Sequence, residues 1–276
     1  MSNLQLRVIS AIVLAAVVLA VTWWGGLPFR LLSAFITLAV FYEWSRMARP
    51  ATAAGWRIGG LGFLPEACVL AFAVALVAAL PGLLLIGFVA ALGVLLAVLS
   101  AMRVGDQWES AGFAYACLSG LSLALLRGGD MAGLLAILFL FAVVWSTDVF
   151  AYFVGRAVGG PKLAPSISPG KTRSGALGGL VAGIVTGLIV CLAVGVASPW
   201  LLVLVAALLS IVSQAGDLFE SWVKRRHGVK DSGWIIPGHG GVMDRVDGLV
   251  AAAFALYLIG WLLGGADRPA QGLFPG

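Results

Sequence analysis

Residues 199–222 read PWLLVLVAALLSIVSQAGDLFESW, as long as a helix needs to be to cross hydrocarbon, about 20 residues rising 1.5 Å each. Within and just beyond it, Ser210, Ser213, Gln214, Asp217, Glu220, Ser221 and Lys224 recur at three- and four-residue steps. Such spacing draws one polar stripe on a helix, from mid-run to its basic end, and predicts a face that lines a cavity. The serines taken alone serve helix packing as well. An acid at mid-bilayer costs about 2.5–3.5 kcal/mol on insertion scales, so Asp217 is expected to face protein, water or a cation.

Working outward, eight further apolar runs stand at about 8–24, 28–47, 63–80, 82–101, 111–126, 132–155, 176–197 and 248–264. The 276 residues are 61% apolar and 11% charged. A soluble domain carries about a quarter charged residues, so a water-exposed globule is excluded. The expected fold is all-α, a polytopic integral membrane protein of about nine transmembrane helices. Tight turns at Gly25-Gly26-Leu27-Pro28, Pro81-Gly82, Gly128-Gly129 and Ser198-Pro199 join alternate runs and carry almost no cations. The other connections, with Arg7, carry 14 of the 17 Lys and Arg residues, leaving Arg30, Arg127 and Arg268. Positive-inside bias therefore puts the amino terminus and the long loops in the cytoplasm of a cell whose inner membrane holds the chain. Thr22-Trp23-Trp24 reads as an interfacial anchor ending an uncleaved first span. No basic block suggests nucleic acid, and Cys68, Cys117 and Cys191 lie singly in apolar runs without the spacing of a zinc site or disulfide framework. Residues 1–130 are expected to form a transmembrane scaffold and 131–276 a catalytic region with cytoplasmic loops 156–175 and 223–247. The Gly- and Ala-rich helices are compatible with a homodimer, although small residues also pack helices within one chain.

The chemistry concentrates in that second region. Asp148 lies inside the sixth run, about 10 Å from its cytoplasmic end, with Tyr152, Gly155 and Arg156 on the same helical face. The following loop contains Gly159-Gly160-Pro161-Lys162 and Ser168-Pro169-Gly170-Lys171-Thr172. Glycines let backbone approach a ligand, Lys171 offers a point charge, and Ser168 and Thr172 offer hydroxyls before a helix whose amino end attracts anions. It is not a Walker A loop, because GxxxxGK[ST] is absent and no strand is expected before it. The second loop alternates acids, bases and glycines from Ser221 to Asp247. Asp244 and Asp247 share a face if the ninth helix starts near Met243, and together with Asp217 they give three carboxylates to converge at the membrane face. Such a cluster repels itself unless a cation sits in it, and oxygen-only ligation favours Mg²⁺. His227 reads as a solvated loop residue, whereas His239, among glycines, is placed to touch a ligand. A cation, several Lys and Arg, and glycine loops beside a recessed polar cavity fit phosphoryl or nucleotidyl transfer to a lipid.

The long loop resembles the phosphatidate cytidylyltransferase (CDP-diacylglycerol synthase) family at Ser221, Lys224-Arg225, Lys230-Asp231, Gly233, Pro237, His239-Gly240-Gly241, Asp244-Arg245 and Asp247. Asp148, Ala151-Tyr152, Gly155-Arg156, Ser168-Pro169, Lys171-Thr172, Gly178-Gly179 and Gly216-Asp217-Leu218 with Glu220-Ser221 are similar too. The resemblance covers about 145–250; the first five runs match only in hydropathy. Arg173-Ser174 departs from it, since relatives commonly carry an aromatic followed by Glu or Gln there. The resemblance implies CTP plus phosphatidate giving CDP-diacylglycerol and pyrophosphate. It implies Mg²⁺, with or without a second cation, on Asp217, Asp244 and Asp247. Asp148 and Asp231 would join that shell or orient the Lys and Arg side chains. Lys171, Lys224, Arg225, Lys230 and Arg245 would neutralise phosphate, with Ser168, Thr172, Ser221, His239, Gly240 and Gly241 completing the substrate contacts. The rival readings are a CTP-dependent polyprenol kinase, an ether-lipid cytidylyltransferase and a secondary transporter. The last would put charges near the midplane with access from both sides, whereas these acids cluster toward one end.

Overall fold

A computed structural model describes residues 3–48, 63–102, 108–236 and 240–274, with side chains from residue 9 onward. The chain runs α1 (Asn3–Trp24), α2 (Gly26–Ala48), α3 (Leu64–Val77), α4 (Gly82–Met102), α5 (Trp108–Arg127), α6 (Met131–Val158), β1 (Lys162–Ala164), β2 (Ser168–Thr172), α7 (Arg173–Ala193), α8 (Trp200–Arg226), α9 (Met243–Gly264) and α10 (Pro269–Leu273). Each apolar run is helical. Among the described residues seven helices, α2 and α4 to α9, are long and apolar enough to cross a membrane, while Ile9–Trp24 and Leu64–Val77 are shorter apolar helices. The chain is thus an all-α polytopic membrane protein, with one small departure. The glycine loop after α6 folds into an antiparallel hairpin, pairing Lys162 with Thr172 and Ala164 with Ser168, where the sequence suggested loop without strand. Glycines at positive φ, Gly159 at 66° and Gly160 at 98°, turn the chain out of α6 into β1.

Two compact units emerge, one formed by 1–125 and 231–245, the other by 126–230 and 246–276. In the first, Trp44 of α2 is buried and its indole Nε1 donates to the Trp108 carbonyl at 2.7 Å. Gly112 of α5 makes room for that ring, since a Cβ there would lie 2.3 Å from Trp44 Cδ1. Ser33 and Thr37 donate their hydroxyls to carbonyls one turn back, at 2.9 and 3.0 Å, satisfying themselves within an apolar helix.

In the second unit, α6, α7 and α8 pack against one another. The buried face of α7 is Gly175, Gly179, Gly183, Gly187 and Cys191, one residue every four. A Cβ at Gly175 would meet the Ala151 carbonyl at 2.5 Å, at Gly179 the Thr147 carbonyl at 2.7 Å, and at Gly187 the Ala206 Cβ at 2.5 Å. Backbones therefore touch where side chains would hold them apart, the usual device for close packing of helices in lipid. Gly216 of α8 and Gly248 of α9 do the same, against Ala251 and the Ser213 carbonyl. At the other end Asp130 caps α6 by accepting from Gly133 N at 2.8 Å, and Gln271 of α10 donates to the same carboxylate at 2.8 Å.

Overpacking costs about 1–3 kcal/mol or more, so Gly187→Leu is expected to lower the melting midpoint in detergent by about 3–10 °C. Labelling of the buried Cys68, Cys117 and Cys191 with a thiol-reactive dye follows that transition. Gly87→Leu, at a position with nothing within 4 Å, serves as the control and should not lower the midpoint.

Candidate functional site

Helices α6 and α8 have 28 and 27 residues, each about 40 Å long and so longer than the hydrocarbon is thick. Asp148 and Asp217 lie ten and nine residues before the last residues of these helices. That sets both carboxylates at a similar recess of about 14 Å from the helix ends. Between them lies a cavity of about 550 Å³ lined by Asp148, Tyr152, Arg156, Lys162, Ser168, Lys171, Thr172, Gln214, Asp217 and several glycines, within the range of about 300–1,000 Å³ typical of small-molecule pockets.

The hairpin delivers the cations. Strand β2 carries Lys171 into the cavity, where its Nζ forms an ion pair with Asp217 Oδ2. Next to it Thr172 is buried and its Oγ1 accepts from Gly175 N at 3.1 Å, capping α7 and fixing the strand-to-helix junction. Gly155 and Gly175 meet there, a Cβ on Gly175 falling 3.1 Å from the Gly155 Cα. The departure at Ser174 also acquires a role. Its hydroxyl donates to the Gly159 carbonyl and lies 3.0 Å from Thr172 Oγ1, tying the start of α7 to the turn that ends α6. Arg156 donates to Tyr152 Oη at 2.9 Å, so these two cavity residues brace each other one helical turn apart.

The polar stripe of α8 divides by face. Ser210 is buried and bonds Thr147 Oγ1 at 2.9 Å, Ser213 donates to the Ser210 carbonyl at 3.0 Å, and Glu220 is buried in an ion pair with Lys224 at 3.0 Å. These serve packing. Gln214, which donates to the Ala176 carbonyl at 3.3 Å, and Asp217 turn to the cavity, and Ser221 Oγ donates to Asp217 Oδ1 at 3.4 Å. Asp247 of α9 accepts from Gly248 N at 2.7 Å and lies in the fields of Asp217, Asp148 and Lys224. Asp148 in turn feels Asp217 and Lys171.

Three predicted site carboxylates are thereby gathered in one unit with Lys171. Among the described residues no three His, Cys, Asp or Glu side chains stand as a ready-made metal cage. The donor chemistry nevertheless matches a hard cation, because the groups are all oxygen and repel one another. The ammonium of Lys171 occupies the Asp217 carboxylate, where a cation would neutralise it.

The remaining predicted residues are placed differently. Arg225 donates to the Val229 carbonyl at 3.0 Å at the exposed end of α8, and Lys230, Asp231 and Arg245 are exposed. His239 lies outside the described residues. In the first unit, Asp244 Oδ2 accepts from Ser232 N, Ser232 Oγ and Gly241 N at 2.9, 3.0 and 2.9 Å. Gly240 sits at φ 84°, and Gly241 has no room for a Cβ, which would fall 2.1 Å from Ser232 Oγ.

Sequence reasoning undervalued Arg156 and Lys162 as cavity residues and missed Glu43 altogether. Glu43 is buried in α2, its carboxylate in hydrogen bonds to Val242 N, Met243 N and Ser232 Oγ. An acid inside the 28–47 run was the available signal, by the insertion argument applied to Asp148 and Asp217.

The Cytidylyltransferase family matches residues 5–263. The phosphatidate cytidylyltransferase of Brucella suis biovar 1 is 50% identical over 274 residues, 99% of each chain. That of Brucella abortus biovar 1 (strain 9-941) is 51% identical over 267 residues, 97% of each chain. The enzyme of the same name from Bacillus subtilis (strain 168) is 37% identical over 135 residues, 49% of this chain and 50% of its own.

Removing one partner of a buried ion pair costs about 3–5 kcal/mol. Lys224→Met, which leaves the buried Glu220 charge without its i,i+4 ammonium, is therefore expected to lower the melting midpoint in detergent. Arg225→Met, at an exposed site, should leave it within about 1 °C. Equal midpoints for the two variants would mean that the Glu220 pair contributes nothing to stability.

Proposed function

The chain belongs to the cytidylyltransferase family, and on that footing we propose that it transfers CMP from CTP to phosphatidate, giving CDP-diacylglycerol and pyrophosphate. The observation that carries this reading is a cavity recessed from the ends of two apolar helices, where Lys171 and Asp217 pair beside Asp148. This occurs in a chain half identical, end to end, to relatives named phosphatidate cytidylyltransferase. The active site faces the cytoplasm in this reading, because the hairpin, the end of α8 and the following segment belong to the set of connections that, with Arg7, carry 14 of the 17 Lys and Arg residues. CTP would then arrive from water and the lipid headgroup from the bilayer. A symmetric pair of chains fits the reading as well as a single one.

In the reaction, a non-bridging oxygen of the phosphatidate phosphate attacks the α-phosphorus of CTP. The new P–O bond forms as the bond from that phosphorus to the β-phosphate oxygen breaks, and pyrophosphate leaves with the electron pair. The nucleophile is already an anion, so the site needs alignment and positive charge more than a general base, which suits a cavity without histidine among its lining residues. Lys171, Lys162 and Arg156 are the cavity cations that would meet phosphate oxygens, and the Gly159-Gly160 turn lets them close on the backbone. Asp217 and Asp247, with Asp148, are the carboxylates that would hold Mg²⁺. Bound there, Mg²⁺ would supply charge neutralisation for the triphosphate and the departing pyrophosphate. Lys171 would then be released from Asp217 to serve the substrate.

CTP labelled at the α-phosphorus tests the reaction. Purified protein given that nucleotide, phosphatidate and Mg²⁺ should move label into CDP-diacylglycerol. A polyprenol kinase or a transporter would leave the label in nucleotide. Asp217→Asn should reduce the transfer by at least about 100-fold while the protein still inserts and melts cooperatively. Near-normal turnover in that variant would refute the role given to Asp217.

A further inference from the structure

The segment 231–245 carries the densest part of the signature, yet its anchor comes from a helix that the signature does not include. Glu43 lies in the last turns of α2 and is 1% exposed. Its Oε1 accepts from Val242 N at 2.8 Å. Its Oε2 accepts from Met243 N at 2.8 Å and from Ser232 Oγ at 2.9 Å. Met243 is the first residue of α9, so Glu43 satisfies orphan amide donors at that helix start, a capping role supplied from 200 residues away. The same Ser232 hydroxyl stands 3.0 Å from Asp244 Oδ2, so one hydrogen serves two carboxylate oxygens and links Glu43 to Asp244. Glycines close the clasp. A Cβ on Gly233 would lie 2.7 Å from Glu43 Oε1, and one on Gly241 would lie 2.4 Å from Oε2. One turn further along α2, the Arg46 guanidinium lies 4.5 Å from the Trp234 ring centroid, holding the same segment by a second contact.

A carboxylate buried in a membrane protein is costly unless donors converge on it, and here those donors, two backbone amides and a hydroxyl, come from a single segment. We propose that Glu43 is a positioning residue for nucleotidyl transfer: it fixes the backbone at Gly241-Val242-Met243 and, through Ser232, the rotamer of Asp244. This rests on the reading under Proposed function that the chain is a nucleotidyltransferase, and on the part in that reaction that the resemblance gives to Asp244, Gly240 and Gly241. Glu43 touches neither substrate nor reacting atoms. Its loss acts through Asp244 and the glycine turn, lowering turnover more than it weakens lipid binding.

Glu43→Gln puts an NH₂ group against at least one backbone N–H. It is expected to lower kcat about 10- to 100-fold, as loss of a supporting contact typically does, with the KM for phosphatidate little changed. Hydrogen–deuterium exchange should show faster uptake in the peptide covering 240–246, with α6 to α8 unaltered. Ser232→Ala keeps both amide bonds to Glu43 and cuts only the bridge to Asp244. It should give a smaller kcat loss, and the double variant should be no worse than Glu43→Gln alone. Faster exchange with intact turnover in Glu43→Gln overturns the catalytic role. Lost turnover with unchanged exchange in 240–246 overturns the positioning. If Glu43→Gln unfolds, Ser232→Ala decides, and a wild-type kcat there overturns the proposal. A wild-type protein that moves no label from CTP to phosphatidate refutes the functional reading itself, and the exchange data still report on the clasp.

Discussion

Close approach of backbone to backbone along one face of α7 is the constraint on which the second unit depends. In lipid, apolar side chains gain nothing by leaving their surroundings for one another, so helices associate through fit and polar contact. Glycine at every fourth position of α7, from Gly175 to Gly187, removes the side chains that would otherwise separate it from α6 and α8. The same approach draws Asp148 and Asp217 to two sides of one cavity and leaves a hairpin between α6 and α7 short enough to deliver Lys171 between them.

Once that packing is fixed, charge has to be answered locally, and the acids described here are answered in different ways. Glu220 meets Lys224 on its own helix, a pairing that stays out of the cavity. Glu43 meets two backbone amides and a hydroxyl. Asp244 Oδ2 likewise takes two amides and the same hydroxyl. Asp217 is matched by a lysine carried on a strand, and Asp148 and Asp247 share its field. The distinction separates anchoring from chemistry. Glu43, held by amides, and Glu220, held by its own helix, are committed to shape, whereas an acid matched by a lysine in an accessible cavity can exchange that partner for a substrate or an ion.

Membership of the cytidylyltransferase family fits this division. A nucleotidyl transfer between two phosphates needs little acid–base chemistry and much alignment. The cavity is correspondingly rich in glycine, lysine and carboxylate, and the hydroxyls of Thr172 and Ser174 lock the junction of β2 and α7 rather than offering a nucleophile.

The positions of the helices and the chemical character of the site could be read from the amino-acid sequence alone. Run length against bilayer thickness, turn residues and the cost of an acid in hydrocarbon are local properties, so they located the spans and singled out Asp148, Asp217 and the two polar loops. Which face of α8 lines a cavity was not legible, because Ser210, Ser213 and Glu220 have the same spacing as Gln214 and Asp217 and differ only in what packs against them. Nor was the hairpin, whose strands are three and five residues long and gain their pairing from the closeness of α6 and α7. What Glu43 binds was beyond reach for a related reason. Its partners lie 189 to 200 residues along the chain, and an acid looks the same in sequence whether lipid, water or a ring of amides surrounds it. Hydrogen bonds over that separation exist only after the chain has folded, so tertiary structure alone decides which acids hold the site together and which are left to work in it.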